Sequence, residues 1–205
     1  GLTYSEYARQ GFFQLLAVAV ITSGVIAAVV RLADLSDTSM RRVARWSLGL
    51  LCALTLIVLL SASVRLSLYE EAFGFTRLRL LVHATIAGLA IVFVMIFVAG
   101  AIWNGRWLTR GVFLLTGVGL VAFNLINPDL FIAQRNLERA RTTGVLDTVY
   151  LAGLSEDAVP ALATMSDLYP ACAVVEDDNA AVWSFNLSRW EAEKLLSNLA
   201  PSGCQ

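Results

Sequence analysis

Long apolar runs constrain the fold of this chain more than any other feature. The clearest run covers residues 11–30, G-F-F-Q-L-L-A-V-A-V-I-T-S-G-V-I-A-A-V-V, and contains no charged side chain. At 1.5 Å per residue, a helix of this length crosses a hydrocarbon core of about 30 Å. Only 15% of the 205 residues are charged, whereas soluble domains carry about 25%. The pattern predicts an all-α, polytopic membrane protein.

Four such runs predict four transmembrane helices within a membrane domain over residues 1–127. The predicted spans are 11–30, 47–64, 80–102 and 108–126. Trp46, Trp103 and Trp107 fall at one predicted boundary, where aromatic side chains are expected. Polar residues become frequent after residue 127, so residues 128–205 are predicted to form a small, mostly helical C-terminal module.

The start of this module carries a clear helix signal. Asn127-Pro128-Asp129 is typical of a helix start, because Asn can cap, Pro suits the first position and an acid suits the positive end. An apolar stripe follows at helical spacing, formed by Leu130, Ala133, Leu137 and Ala140. Gly144 is expected to end this helix, and further short helices are expected at Ser155 and from Ser188 to Leu199.

A polar island lies between the second and third predicted spans. Residues 65–83 read R-L-S-L-Y-E-E-A-F-G-F-T-R-L-R-L-L-V-H and include the only histidine of the chain. Ionisable groups beside a membrane span are costly, so they are functional hypotheses. The candidate ligand- or lipid-binding residues are Arg65, Tyr69, Glu70, Glu71, Arg77, Arg79 and His83. No residue is assigned a catalytic role.

Three roles fit the polar island. Arginine side chains bind phosphate and carboxylate through two parallel hydrogen bonds, so the island could hold an anion or a lipid headgroup. His83, positioned by a carboxylate, could transfer protons. The third role is structural, in which a mutually satisfied ion-pair cluster fixes a helical hairpin. That cluster would contain Arg65, Glu70, Glu71, Arg77 and Arg79.

Neither a metal nor a cofactor is predicted. One histidine, without cysteines or carboxylates at ligand spacing, does not form a zinc motif, and no phosphate-binding glycine loop is present. Cys52 is expected to be a buried thiol, whereas Cys172 and Cys204 could form a disulfide in an oxidising compartment. The formal net charge of −1 argues against a nucleic-acid partner, which would require a basic face.

The orientation rests on one compact basic segment between Arg31 and Arg45. Arginines on the two sides of the predicted membrane are nearly equal in number, so their count does not decide the orientation. Short basic loops next to spans face the cytoplasm, and the segment around Arg41 and Arg42 is the most compact one. This places the polar island and the C-terminal tail outside the cytoplasm.

Four segments carry a resemblance to a known family. They are Gly1–Phe12, Leu68–Arg79, Asn127–Arg139 and Tyr150–Leu162. In this order they resemble a bacterial family of integral membrane proteins catalogued as a domain of unknown function, of the DUF4173/DUF4153 type. Phe75 departs from the pattern, where an aliphatic residue is expected. The resemblance implies that the chain is the C-terminal part of a longer multi-spanning protein, and it provides no catalytic or binding residues.

These observations predict a multi-pass component of the bacterial inner membrane that binds a partner or ligand in sensing, assembly or scaffolding. The predicted partners are the lipid bilayer and either another protein or the N-terminal spans of the same protein. One alternative is a transporter with a polar site at Arg77, Arg79 and His83. Another is an envelope enzyme with its site between Glu70 and His83 at the membrane boundary. A non-enzymatic role is favoured.

Overall fold

A computed structural model describes residues 17–19, 21–30, 37–164 and 187–199. Every regular element within these ranges is helical, as predicted. Their bounds are α1 Ala17–Val30, α2 Thr38–Phe73, α3 Arg77–Ala101, α4 Leu108–Leu125, α5 Pro128–Thr143, α6 Thr148–Ala152, a 3-10 turn Glu156–Ala158, α7 Val159–Leu162 and α8 Leu187–Leu199. The predicted disulfide between Cys172 and Cys204 lies outside the described residues.

Three of these helices, α2, α3 and α4, are long and apolar enough to cross a membrane. They indicate an integral membrane protein and correspond to the second, third and fourth predicted spans. The described part of the first span is α1, which is shorter and begins at Ala17. The count of four spans therefore stays a prediction.

Helix α2 is twice as long as the predicted span of residues 47–64. Its 36 residues correspond to about 54 Å, so both ends extend beyond an apolar core. At the start, the Asp37 carboxylate accepts hydrogen bonds from the Ser39 N–H (3.1 Å) and hydroxyl (2.9 Å). The expectation of a loop is wrong for residues 38–45, because this cap starts a helix at Thr38.

The chain divides into two compact units. The first comprises Gly1–Tyr69 and Leu81–Val121, and its described core is formed by α1, α2 and α3. The buried side chains are Ala19, Ile26, Cys52, Leu59, Ala62, Ile86 and Phe93. Cys52 is thus a buried thiol, as expected. Helix α4 contributes no buried side chain to this core.

The second unit comprises Glu70–Leu80 and Ala122–Gln205. Helices α5 and α7, the 3-10 turn and α8 pack on one another. The core is formed by Ile132, Ala133, Leu151, Leu154, Ala158, Val159, Ala161, Leu162, Ala192 and Leu196. Phe75 and Leu80 pack against this core, so the connection between α2 and α3 is part of the second unit. The sequence-based boundary at residue 127 stays a prediction.

The start of α5 differs from its prediction. Asn127 adopts a left-handed backbone conformation (φ 55°) and its side chain does not cap the helix. Asparagine tolerates this conformation better than most residues, and here it allows α5 to follow α4 after only two residues. The buried stripe of α5 is also shifted, since its centre is Asp129, Ile132, Ala133 and Asn136. Gly144 ends the helix in a left-handed conformation, as predicted.

Candidate functional site

The best-organised polar site surrounds residues 74–76, which connect α2 to α3. We call these three residues the α2–α3 turn, or simply the turn. Gly74 has φ 82°, a conformation that glycine adopts without steric cost. Its N–H donates to the Glu70 carbonyl at 2.8 Å, which closes the last turn of α2. The chain can then reverse within three residues and begin α3 at Arg77.

Asn136 of α5 holds the turn through its side-chain amide. Its Oδ1 accepts from the Phe75 N–H at 2.9 Å, and its Nδ2 donates to the Phe75 carbonyl at 2.9 Å. Nδ2 also donates to the Ile132 carbonyl of its own helix at 3.0 Å. Because the amide pairs with both backbone groups of Phe75, it replaces the partners that a neighbouring strand would supply. We call this arrangement the Asn136 clamp.

Asp129, at the start of α5, binds Arg77 at the start of α3. Arg77 Nε donates to Asp129 Oδ1 at 2.7 Å and Nη2 donates to Oδ2 at 2.5 Å, which is the bidentate geometry of the strongest ion pairs. The Ser155 N–H donates to the same Oδ2 at 2.9 Å. The Arg77 N–H in turn donates to the Tyr150 hydroxyl at 2.9 Å. Segments far apart in sequence therefore meet at one carboxylate.

Two further arginines bind carbonyl groups at the C-terminal end of α2 and at Gly74. Arg79 Nη1 donates to the Phe73 carbonyl at 3.1 Å and also to the Gly74 carbonyl. Arg139 of α5 donates from Nη1 to the Ala72 carbonyl at 3.4 Å. The last carbonyls of a helix lack partners within the helix and carry partial negative charge, so both arginines are well placed there.

The environment of Asp129 determines its ionisation. Burial raises the pKa of this carboxyl, but hydrogen bonds from Arg77 and Ser155, together with the Arg77 charge, outweigh burial and hold its pKa below the ordinary value. The carboxylate is therefore ionised at neutral pH. A pKa that is lower in the folded than in the unfolded chain links folding to pH.

We expect the stabilisation by Asp129 to be complete above the pKa of about 3.9 that an unfolded Asp has. It should be lost as the pH falls through the lower pKa of the folded state. Thermal unfolding of the full chain in detergent, measured between neutral and acidic pH, tests this expectation. Asp129→Asn should remove this component of the acid destabilisation, whereas Glu138→Gln, at an exposed ion pair of α5, should leave it intact. Equal pH profiles for wild type and Asp129→Asn would contradict it.

The predicted candidate residues divide between the two units. Arg65, Tyr69 and His83 belong to the first unit, where His83 Nε2 lies 3.5 Å from Ser67 Oγ. Glu70, Glu71, Arg77 and Arg79 belong to the second unit. Glu70 is buried with 2% of its surface exposed, and Glu71 is exposed. Whether these residues bind a ligand stays a prediction.

The sequence reasoning missed Asp129, Asn136, Tyr150 and Ser155 as members of this site. A usable signal was present in α5, because Asp129 and Asn136 share the spacing i, i+3, i+4, i+7 with Ile132 and Ala133. Polar residues on the buried stripe of a helix must find hydrogen-bonding partners. Asp129 also fits as a favourable charge at the helix start, and that role alone does not indicate that its side chain needs a buried partner.

The polar atoms of Asp129 and Asn136 are bound to other groups of this site. Both oxygens of Asp129 accept hydrogen bonds, and so does Asn136 Oδ1 while its nitrogen donates. Within the described ranges, no group of three or more His, Cys, Asp or Glu side chains is placed to hold a metal ion. These hydrogen bonds and this ion pair therefore form a structural link between the turn and the helices α5 and α6.

Comparisons with known proteins complete the description. No curated protein and no solved structure matches the chain. A family model described as a domain of unknown function, DUF4153, matches residues 1–165. This match includes the turn, α5, α6 and α7, and therefore every residue of the Asn136 clamp and of the Asp129 ion pair. Since it covers most of the sequence, the chain belongs to the DUF4153 family.

Proposed function

We propose that this chain is a non-enzymatic component of the bacterial envelope, in which the helices α5–α8 bind a partner protein. The bidentate Arg77–Asp129 pair, with Ser155 on the same carboxylate, carries this proposal. A group that binds ligand or transfers protons needs donors or lone pairs directed at the ligand. Here Arg77 of the island is directed at Asp129, and this pair holds the start of α5 against the start of α3.

Exposed apolar side chains on the second unit support a binding role. Val149 of α6 is 80% exposed, and Val145, just before α6, is 62% exposed. Val149 directly precedes Tyr150, whose hydroxyl accepts from the Arg77 N–H, so it provides an apolar contact at a defined position. If the helix that carries this contact is held rigidly, less conformational entropy is lost when a partner binds. The structural link around Asp129 would serve binding in this way.

The orientation and compartment are part of the same proposal. Arg41, Arg42 and Arg45 lie at the first turns of α2, and short basic segments beside a span are retained in the cytoplasm. The inner membrane, with α5–α8 on the extracytoplasmic side, is consistent with this arginine cluster. The resemblance of the sequence motifs to a bacterial family supports the bacterial envelope.

Affinity purification of the tagged full chain from its native membrane tests the proposal. A stoichiometric partner should be recovered with the wild type and reduced about tenfold by Asp129→Ala, because losing about 1.4 kcal/mol of preorganisation changes an equilibrium tenfold. Glu138→Gln serves as the matched control, since Glu138 forms an exposed ion pair with Arg135 on the same helix at 3.3 Å. It should leave recovery unchanged.

A second pair of variants separates binding from transport or catalysis. Glu70→Gln and His83→Ala should leave partner recovery and cellular function largely unchanged, because the binding proposal uses neither side chain. Loss of function in His83→Ala with full partner recovery would contradict the proposal and favour a transporter or an enzyme. Full partner recovery in Asp129→Ala would contradict it as well.

A further inference from the structure

A basic and aromatic cluster in the first unit is separate from the site described above. Arg41 and Arg45 of α2 both lie over the ring of Trp103, which follows α3. Their guanidinium carbons are 4.8 Å and 5.5 Å from the centroid of the Trp103 ring, within the range of cation–π interaction. Since the two arginines are four residues apart, they share one face of α2.

Both arginine residues are exposed. Within residues 37–164 neither one donates a hydrogen bond or joins an ion pair. The nearest carboxylate in sequence among the described residues is Asp37, which accepts two hydrogen bonds from Ser39. Stacking on a ring orders a guanidinium but leaves its in-plane N–H groups available to an anion.

The charge around this cluster is strongly positive. Residues 37–46 and 102–110 contain a single carboxylate and five arginines, Arg41, Arg42, Arg45, Arg106 and Arg110. All five arginines are exposed. The neighbouring aromatic residues are Trp46, which is 75% exposed, and Trp107. Arginine and tryptophan at the ends of apolar helices are the side chains that occupy the headgroup layer of a bilayer.

The backbone at Trp103 indicates that its ring is needed at this position. Trp103 has φ 53°, and its N–H donates to the Gly100 carbonyl while the Asn104 N–H donates to the Ala99 carbonyl. This is the Schellman ending of a helix, in which glycine is preferred at the left-handed position. A tryptophan there strains the backbone, so capping α3 does not explain the choice.

We propose that Arg41, Arg45 and Trp103 form a binding site for the phosphate of an anionic phospholipid headgroup. Each arginine offers two parallel donors to phosphate oxygens, and the Trp103 ring holds both arginines at the boundary of the apolar helices. The apolar surfaces of α2, α3 and α4 below this boundary suit the acyl chains, which favours a lipid over a soluble phosphate.

Spin-labelled lipids test this site on the full chain in phosphatidylcholine vesicles. Spin-labelled phosphatidylglycerol should associate more strongly than spin-labelled phosphatidylcholine, measured as the motionally restricted fraction of each label. The preference should fall about fivefold for Arg41→Gln and for Arg45→Gln, because a basic residue at an anionic surface contributes about 1 kcal/mol. Arg135→Gln is the matched control, as Arg135 also lies over an aromatic ring, that of Phe131, at 5.3 Å.

Trp103→Gly distinguishes a lipid site from a structural cap. Glycine relieves the left-handed strain, so this variant should unfold at a higher temperature and yet lose most of the preference for phosphatidylglycerol. An unchanged preference in Trp103→Gly, or equal losses in Arg41→Gln and Arg135→Gln, would overturn the proposal. Inorganic phosphate, added at a concentration equal to that of the lipid phosphate, should not remove the preference. If it did, the site would bind an anion from solution and the proposal would be overturned.

Discussion

Asn136→Ala is expected to destabilise the second unit by about 2–4 kcal/mol. The substitution leaves the N–H and the carbonyl of Phe75 without the partners that the Asn136 clamp provides, and a buried unpaired backbone group costs about 1–3 kcal/mol. Asn136 is only 7% exposed, so water cannot replace the amide without opening the packing. Denaturant unfolding of the full chain in detergent micelles measures the loss.

Two further variants show whether the clamp is responsible. Gln134→Ala changes an exposed residue of the same helix and should alter the free energy of unfolding by less than about 0.5 kcal/mol. Asn136→Asp retains an acceptor for the Phe75 N–H but places a negative charge beside the Phe75 and Ile132 carbonyls, so it should be as harmful as alanine. Amide hydrogen exchange at Phe75 should accelerate in both Asn136 variants. Equal stability of Asn136→Ala and Gln134→Ala would refute the clamp.

Gly74→Ala should destabilise the same unit by about 3–5 kcal/mol, for two separable reasons. The left-handed conformation at φ 82° costs an L-residue about 1–2 kcal/mol. A Cβ atom at Gly74 would also lie 2.6 Å from Asn136 Oδ1, so the Asn136 side chain must move and its bonds to Phe75 weaken. Unfolding of the full chain and exchange at the Phe75 amide measure both effects.

Gly144→Ala separates backbone strain from the clash. Gly144 has φ 70°, and a Cβ atom there would have no neighbouring atom within 4 Å, so alanine should cost only the strain of about 1–2 kcal/mol. The double variant Gly74→Ala with Asn136→Ala should be less harmful than the sum of the two single variants, because the clashing amide is absent. Additive losses in the double variant, or equal losses for Gly74→Ala and Gly144→Ala, would show that the contact with Asn136 is unimportant.

Much of the helical architecture was predictable from local sequence. The apolar runs at residues 47–64, 80–102 and 108–126 correspond to α2, α3 and α4, and Gly144 ends α5 where its position indicates. The bounds of α2 were less predictable, because the segment before Trp46 is polar and arginine-rich. Arginine is a good helix former, and the Asp37 cap starts the helix within that polar segment.

The candidate site was predictable only in part. The polar island was recognised as unusual, and Arg77 is indeed one of its organising residues. Glu70 and Glu71 were the expected partners of the island arginines because they are close in sequence, whereas Arg77 binds Asp129, 52 residues further along the chain. Charge and spacing identify a residue that needs a partner, but they do not choose among several carboxylates in the chain.

The amino-acid sequence by itself determined the helical class, the membrane-type helices and the end of α5 at Gly144. These properties follow from the hydrophobicity of each run and from backbone preferences of single residues, both of which act over a few residues. Only the tertiary structure decided that Asn136 holds Phe75, that Asp129 holds Arg77 and Ser155, and that Arg41 and Arg45 meet Trp103. Those contacts join residues as far apart in sequence as Arg41 and Trp103, and they depend on how the helices pack, which no local pattern specifies.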